Sequence, residues 1–395
     1  MINKILKELA ENAAGGLSTM QLPKLPLKEK EKNQRLFRIG EVADLLEISE
    51  SHLRNLEESD RIPTRHSRDG KEEGSTHKGW FLPEINQIRD VVGLNPFRKD
   101  GDKPFILVNS NFKDNVGKTT SAVTFSQFCA LHGYRVLLVD LDPQADATRS
   151  FFSYPEITVH SSETLVDYLT QKTKDLQGLP QQTHWPRLDL IPANHAIHCA
   201  GLLKDYATIA NWMLLKDGLE GISDDYDIIV IDSPSSSSFL AMNGLYAADG
   251  VLVPLPPTIE NIASLHQHFK ILSSAFDLFE ESDKLYNFVK ILITHHDGTI
   301  QAREITNAIF EAFSNAMIPA ILYSSESIGY GDFMNPSPYE IDATSFKGNR
   351  RKGNRRCLEK AREILSQVDA EILRDIRLSW PSAKGAAEQS SLISL

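Results

Sequence analysis

From residue 105 onward, short apolar runs alternate with longer stretches of helical spacing. The runs are FILV at 105, RVLLVD at 135, LDLIPA at 188, DIIVID at 227, GVLVPL at 250 and VKILIT at 289. They are rich in β-branched residues, and their length suits strands better than core helices. Strands that are apolar on both faces are covered on both faces, and the helical stretches between them act as crossovers. The pattern predicts an α/β fold, with a doubly wound, mostly parallel sheet between two layers of helices.

Upstream the period changes. Phe37–Leu46 has amphipathic helical spacing, Glu47-Ile48-Ser49 supplies a turn, and Glu50–Glu58 reads as a second helix with Leu53 and Leu56 facing inward. Ser49 is a sound N-cap for that second helix, and two short helices joined this tightly form a helix-turn-helix. Residues 1–20 place Ile2, Ile5, Leu6, Leu9 and Met20 among Lys and Glu, and Pro23, Pro26 and KEKEKNQR follow as a solvated linker. Whether this arm is disordered or pairs with its twin in a dimer stays open. The expected organisation is an arm and linker over 1–35, a helix-turn-helix unit over 36–97, the junction NPFRKDGDKP, an α/β domain over 103–380 and a small, polar, mobile tail over 381–395.

Composition narrows the class. A chain of 395 residues exceeds the roughly 250 that one core usually serves, which agrees with more than one unit. Hydrophobic residues at 41% and charged residues at 24% describe an ordinary globular protein, and no apolar run is long enough to span a bilayer. The opening residues have no apolar stretch followed by a cleavage site, so no secretory signal is expected. Cys129, Cys199 and Cys357 form neither a disulfide framework nor a zinc pattern, which points to a reducing, cytoplasmic setting without membrane attachment. A net charge of −11 excludes a protein that coats nucleic acid with its whole surface and leaves room for local basic patches.

The chemistry concentrates where the first strand meets the first long helix. Residues 111–120, Asn-Phe-Lys-Asp-Asn-Val-Gly-Lys-Thr-Thr, place a loop ahead of a helix N-terminus. Backbone N–H groups from Val116 through Thr120 would converge there on an anion, with the helix dipole favouring negative charge. Lys118 would reach the β- and γ-phosphates of a nucleotide, and Thr119 would ligate Mg²⁺. Residues 226–232 form a buried strand ending in Asp232, which would hold the metal's hydration shell. The expected cofactors are ATP and Mg²⁺. His295, His296 and Asp297 follow the last strand, near where an adenine would sit; they read as ordinary loop residues or, less simply, as metal ligands.

This loop resembles the deviant Walker motif of ParA/MinD-type ATPases, K-G-G-x-G-K-[ST]-[ST]. Over roughly residues 36–380 the ordered motifs resemble the large ParA/SopA-type plasmid-partition ATPases. The resemblance implies that Lys113 is the signature lysine, reaching across an ATP-sandwich homodimer to the partner's phosphates. Val139-Asp140-Leu141-Asp142-Pro143-Gln144 resembles the family's D-x-D-P-Q switch, in which Asp142 would position the attacking water and Asp140 would support the metal region. Arg61–Arg68 and the segment from Gly79 look like the wing and following helix of MerR-type winged domains. Ser51, His52, Arg54, Asn55 and Arg65 would then face an operator. A second basic patch, Lys347, Arg350, Arg351, Lys352, Arg355 and Arg356, precedes a helix over 357–377. It resembles the segment that binds DNA without sequence preference in the family, and would act by counterion release. The implied function is ATP-driven, nucleoid-associated segregation of a replicon, stimulated by a ParB-type centromere-binding protein, with repression of the chain's own operon.

Two departures from the family pattern matter. Asp114 and Asn115 replace two glycines. Both residue types tolerate left-handed backbone, but a carboxylate about 6 Å from a phosphate at an effective dielectric of about 20 costs roughly 3 kcal/mol per unit charge. Ser235–Ser238 replaces the usual turn after Asp232 and reads as a mobile connector or as a hydrogen-bond donor set. These features support the alternative of a DNA-binding repressor whose ATPase domain is impaired in nucleotide binding. A small helical protein-binding module likewise stays open for residues 37–90.

Overall fold

The computed structural model describes residues 35–67, 78–198, 209–279, 284–324, 336–343 and 351–383. Residues 1–34, Arg68 of the segment expected to form a wing, Cys199, Lys347, Arg350 and most of the expected C-terminal tail lie outside these residues.

The N-terminal unit starts with β1 (Phe37–Arg38), followed by α1 (Ile39–Leu46) and α2 (Glu50–Glu58). The expected helix from Phe37 thus begins two residues late. Phe37 and Arg38 instead pair antiparallel with Trp80 and Gly79 of β3 (Lys78–Trp80), which also pairs with β2 (His66–Ser67). Gly79 is required by this pairing, since a Cβ there would meet the Phe37 carbonyl oxygen at 2.2 Å. Ser49 caps α2 as expected, its Oγ accepting from the His52 N–H at 3.2 Å, and Leu53 and Leu56 are buried. Helix α3 (Leu82–Val92) completes the unit, packing Ile85 and Ile88 into a core with Val42, Leu46 and Trp80.

The second half is built on a seven-stranded sheet: β4 (Phe105–Asn109), β5 (Val136–Asp140), β6 (Gln181–Gln182), β7 (Leu188–Ile191), β8 (Ile228–Asp232), β9 (Gly250–Leu255) and β10 (Phe288–Ile293). Its order is β10-β9-β4-β8-β5-β7-β6, parallel except where β6 joins β7. The six expected strands are present. The two-residue edge strand β6 is polar and carries no apolar signal.

Helix α4 (Lys118–Leu131) lies at the centre, and all its residues except Thr119 and Thr120 are buried. A helix buried on every side is one surrounded by protein. The longer helices after it are α5 (Asp146–Phe151), α6 (Leu214–Glu220), α7 (Phe239–Ala247), α8 (Ile259–Phe279), α9 (Ile300–Phe313) and α10 (Arg351–Ser379). No helix among the described residues is long and apolar enough to cross a membrane.

The two halves share one hydrophobic core. Arg89 of α3 is 1% exposed and donates to the Leu131 carbonyl at the end of α4, at 2.6 Å, and to the Asn86 side chain at 2.8 Å. A guanidinium at that position meets a carbonyl with no partner inside the helix, at the negative end of its dipole. The expected junction is pinned as well: the Arg98 guanidinium donates to the Tyr226 carbonyl, and Phe97 lies under Arg135 and Arg187. Beyond α10 the chain stays attached, with Trp380 donating to the Lys103 carbonyl and Ser382 to Asp102. The start of the expected mobile tail is therefore anchored through residue 383.

Helix α10 also buries Asp369, which accepts from the Tyr339 hydroxyl at 2.8 Å. Burial pushes this carboxyl up to about 8, with the Tyr339 bond pulling the other way. Because the folded value lies above the unfolded one, the contribution is fully present below about pH 4 and is lost as pH rises toward 8. Asp369→Asn should remove that loss. The stability difference between variant and wild type, measured by urea unfolding, is expected to shift in the variant's favour from pH 5 to pH 8; a pH-independent difference would refute the assignment.

Candidate functional site

Strand register places the acids. Asp140 and Asp232 are direct partners on β5 and β8, and Asn109 of β4 is the partner of Asp232 on the other side. All three sit at the carboxyl edge of the sheet, where open α/β folds hold their ligands.

The loop between β4 and α4 is tied to the ends of neighbouring strands. The Asn111 side chain donates to the Pro254 carbonyl at 2.9 Å and accepts from the Lys113 N–H at 3.1 Å. Thr294, just past β10, donates to the Val116 carbonyl at 2.7 Å. Gly117 opens α4 with φ 94°, a conformation natural to glycine, and Asn115 takes φ 56°. Of the two residues standing where the resembled motif has glycine, only Asn115 therefore uses left-handed backbone. Asp114 does not, and both are exposed.

The loop bounds an open cleft of about 500 Å³. Val116, Gly117, Lys118, Thr119, Thr120 and Asp142 line it, as expected for a phosphate site. Asp114, Asn115, Gln144, Asp146, Ser235 and His295 complete the wall.

Lys118 is 5% exposed, and its Nζ donates to the Lys113 carbonyl at 2.9 Å and to Ser235 Oγ at 2.7 Å. Burial lowers its pKa, while Asp232, Asp142 and Asp114 pull it back up. Asp140 is fully buried: Oδ2 accepts from the Thr148 hydroxyl at 2.6 Å and N–H at 2.8 Å, and Oδ1 accepts from the Asp142 N–H at 3.0 Å. Burial raises it to about 7, against those bonds and with help from the neighbouring Asp142 charge. Burial also raises Asp142, whose Oδ1 accepts from the Gln144 N–H at 2.9 Å.

Asp232 is 1% exposed, and neither carboxylate oxygen meets a donor in full hydrogen-bond geometry, the neighbouring Thr119 hydroxyl being at most a weak partner. Burial raises its pKa well above the usual range, followed by repulsion from Asp140 and Asp142; the nearby Thr119 hydroxyl and Lys118 oppose the shift. Buried, poorly satisfied carboxylate oxygens beside a threonine hydroxyl are hard oxygen donors suited to a hydrated Mg²⁺. The residues present fit that ion. The helix N-terminus, the loop N–H groups and Lys118 fit a polyphosphate.

Sequence reasoning missed Thr148, which orients Asp140 and also accepts from the Ala193 N–H at 2.9 Å. It left Ser235 undecided, and the structure sets that hydroxyl on Lys118. His295, His296 and Asp297 do not converge: His295 lines the cleft, His296 lies against Tyr323, and Asp297 accepts from Thr299 at the start of α9. Lys113 is half-buried.

On α2, Ser51, His52, Arg54 and Asn55 are exposed, with Arg54 paired to Glu50 at 2.6 Å. Arg65 is bound bidentately to Glu57 and lies over Trp80 at 5.6 Å, which gives it a structural partner inside the unit. Arg351 opens α10, and Arg355 is exposed and paired with Glu359 at 2.8 Å.

A sequence-family profile described as an AAA domain matches residues 105–285. Protein SopA of Escherichia coli (strain K12) is 30% identical over 336 residues, covering 81% of this chain and 85% of SopA. Among solved structures, a chain titled Partition Protein superposes with a TM-score of 0.63 at 17% identity, covering 92% of this chain and 99% of that one. A Cyanothece McdA variant in complex with ATP superposes at 0.52 with 20% identity, covering 67% and 97%. At such identities the two structures speak for the fold. The SopA similarity extends over most of both sequences, and on that ground the chain belongs to the ParA/SopA-type family of P-loop partition proteins.

Proposed function

We propose that this protein is a partition ATPase that segregates a plasmid or similar replicon by ATP-dependent dimerisation and non-specific DNA binding. The observation that carries the reading is Lys118, buried at the mouth of α4, with the poorly satisfied Asp232 carboxylate close enough to raise its pKa. That pairing of a buried, poorly satisfied acid with an anion-seeking helix end suits a metal–polyphosphate.

In this reading, loop N–H groups from Val116 to Thr120 bind phosphate oxygens. Lys118 exchanges its Lys113 and Ser235 partners for them. Thr119 and Asp232, with Asp140 behind, hold the Mg²⁺ shell, and the bound ion would neutralise charge on the terminal phosphates. Asp142, at the open side of the cleft, accepts a hydrogen bond from the attacking water and orients it. Lys113 extends to the phosphates of a second copy, and closure of the dimer excludes water from both sites. The chain acts in the cytoplasm, associated with the nucleoid.

The N-terminal unit serves as a winged helix-turn-helix. Ser51, His52, Arg54 and Asn55 of α2 would meet base edges, Arg65 would hold the wing's base, and binding at its own operon would repress it. Arg350, Arg351 and Arg355 would contact DNA phosphates without sequence preference. A ParB-type partner would stimulate hydrolysis and release. The alternative, a repressor with an impaired nucleotide site, requires decay among Lys113, Lys118, Thr119, Asp142 and Asp232, yet all five are retained. The exposure of Asp114 also weakens the charge argument that favoured it.

Three variants test these roles. Lys118→Ala should weaken Mg²⁺–ATP binding by about a hundredfold or more in calorimetry, the scale of losing a buried charge-assisted contact worth roughly 3 kcal/mol; binding that survives the substitution would remove Lys118 from the site. Asp232→Asn should raise the stability of the nucleotide-free chain at neutral pH by about 1–3 kcal/mol, because the cost of burying or protonating that carboxylate disappears. The same variant should lose any stabilisation by Mg²⁺–ATP in thermal melts. Replacing Arg350 and Arg351 by Ala should lower the salt dependence of non-specific DNA binding by about one log–log unit per lost phosphate contact and spare operator binding. Equal loss of both kinds of binding would reassign the patch.

A further inference from the structure

Asp114 stands in the nucleotide cleft where the motif that this loop resembles has a glycine. It is exposed and lines the cleft next to Lys113, whose carbonyl oxygen receives Lys118 Nζ at 2.9 Å. The position of that Nζ matters, because the P-loop lysine serves the β- and γ-phosphates, whereas the loop N–H groups cradle the inner ones. Asp142, the water-positioning candidate, lines the same cleft. Asp114 therefore borders the end of the cleft that a terminal phosphate would occupy.

The charge balance there is unusual for a polyanion site. Asp114, Asp142 and Asp146 all line the cleft, against Lys118. Burial is the main influence at both key groups, lowering Lys118 and raising Asp142, and the Asp114 charge adds a smaller upward pull on each. Asp142 and Asp146 have tasks or partners: Asp142 accepts from Gln144 N–H, and Asp146 is ion-paired with Arg149. The backbone does not explain Asp114 either, since the left-handed residue of the loop is Asn115.

We propose that Asp114 sets nucleotide selectivity, weakening the hold on a nucleoside triphosphate relative to the diphosphate. This rests on the nucleotide-binding reading above. The added charge of a triphosphate lies at the end of the site that Asp114 borders, so repulsion falls mainly on that ligand. For an exposed carboxylate, screening leaves an effect of about tenfold in affinity per added phosphate charge. The loop thus holds the diphosphate with little penalty, and the triphosphate state forms only when further contacts, such as those of a second copy, add to it.

The test uses the full chain, with Asp114→Asn as an isosteric neutral variant and Asp114→Gly as the residue of the resembled motif. Affinities for ATP and ADP, each with Mg²⁺, are measured by displacement of a fluorescent ADP analogue at low and high salt. Both variants should tighten ATP by about tenfold and ADP by about twofold or less, and the selective gain should shrink at high salt. Equal tightening of both nucleotides, or tightening of neither, would overturn the proposal. So would a variant that loses ADP binding while the wild type keeps it. If the wild type binds neither nucleotide and Lys118→Ala changes nothing, the nucleotide reading itself fails, and this inference with it.

Discussion

The repulsion among Asp140, Asp142 and Asp232 governs the site and much of what surrounds it. Adjacent parallel strands β5 and β8 end in register, so their terminal carboxylates have no freedom to separate. Water cannot screen them, because Asp140 and Asp232 are buried. The protein answers with the means at hand: two Thr148 donors on Asp140, a raised proton affinity, and the Lys118 ammonium held over the edge by Ser235. None of these satisfies Asp232. A structure that keeps such a conflict has a ligand-shaped reason to do so, and a divalent cation removes it more completely than any side chain present.

Much of this was legible from sequence because the signals were local. Six apolar runs with helical stretches between them forced a parallel sheet, and a lysine–threonine pair after the first strand marked the start of the helix that borders the cleft. Ser49 as a cap and Leu53 and Leu56 as core positions required only the helical period. What escaped depended on partners distant in the chain. Phe37 has helical periodicity but is claimed by Trp80, far along the sequence. β6 is two glutamines, joined to the sheet by backbone bonds that no side-chain pattern announces. Arg65 is picked out by residue type, and the fold adds what the sequence could not, its pairing with Glu57 and its place over Trp80. Ser235 was one hydroxyl in a run of serines until Lys118 selected it. Asp114 shows the reverse: its charge is plain in the sequence, but that it is exposed while lining the cleft, so that screening reduces its cost, is seen only in the fold.

The same helix that opens onto the cleft at Lys118 closes on the N-terminal unit at Leu131. Because α4 is buried along its length, it has no face on which to slide, and its two ends are fixed by different parts of the chain. The N-terminal unit is consequently no detachable module. Its helix α3 contributes Ile85 and Ile88 to a core continuous with Phe125 and Phe128 of α4.

Arg89 gives this arrangement an order in time. Its carbonyl partner lies 42 residues downstream, and ribosomes add residues at about 5–20 per second, so several seconds of synthesis separate the two groups. A guanidinium does not enter an apolar interior without its acceptors. During translation, α1 and α2 can pack before α4 exists, whereas one of the two acceptors that the buried Arg89 guanidinium uses, the Leu131 carbonyl, becomes available only once α4 has emerged. The first unit to leave the ribosome is thus the one that must wait for the second.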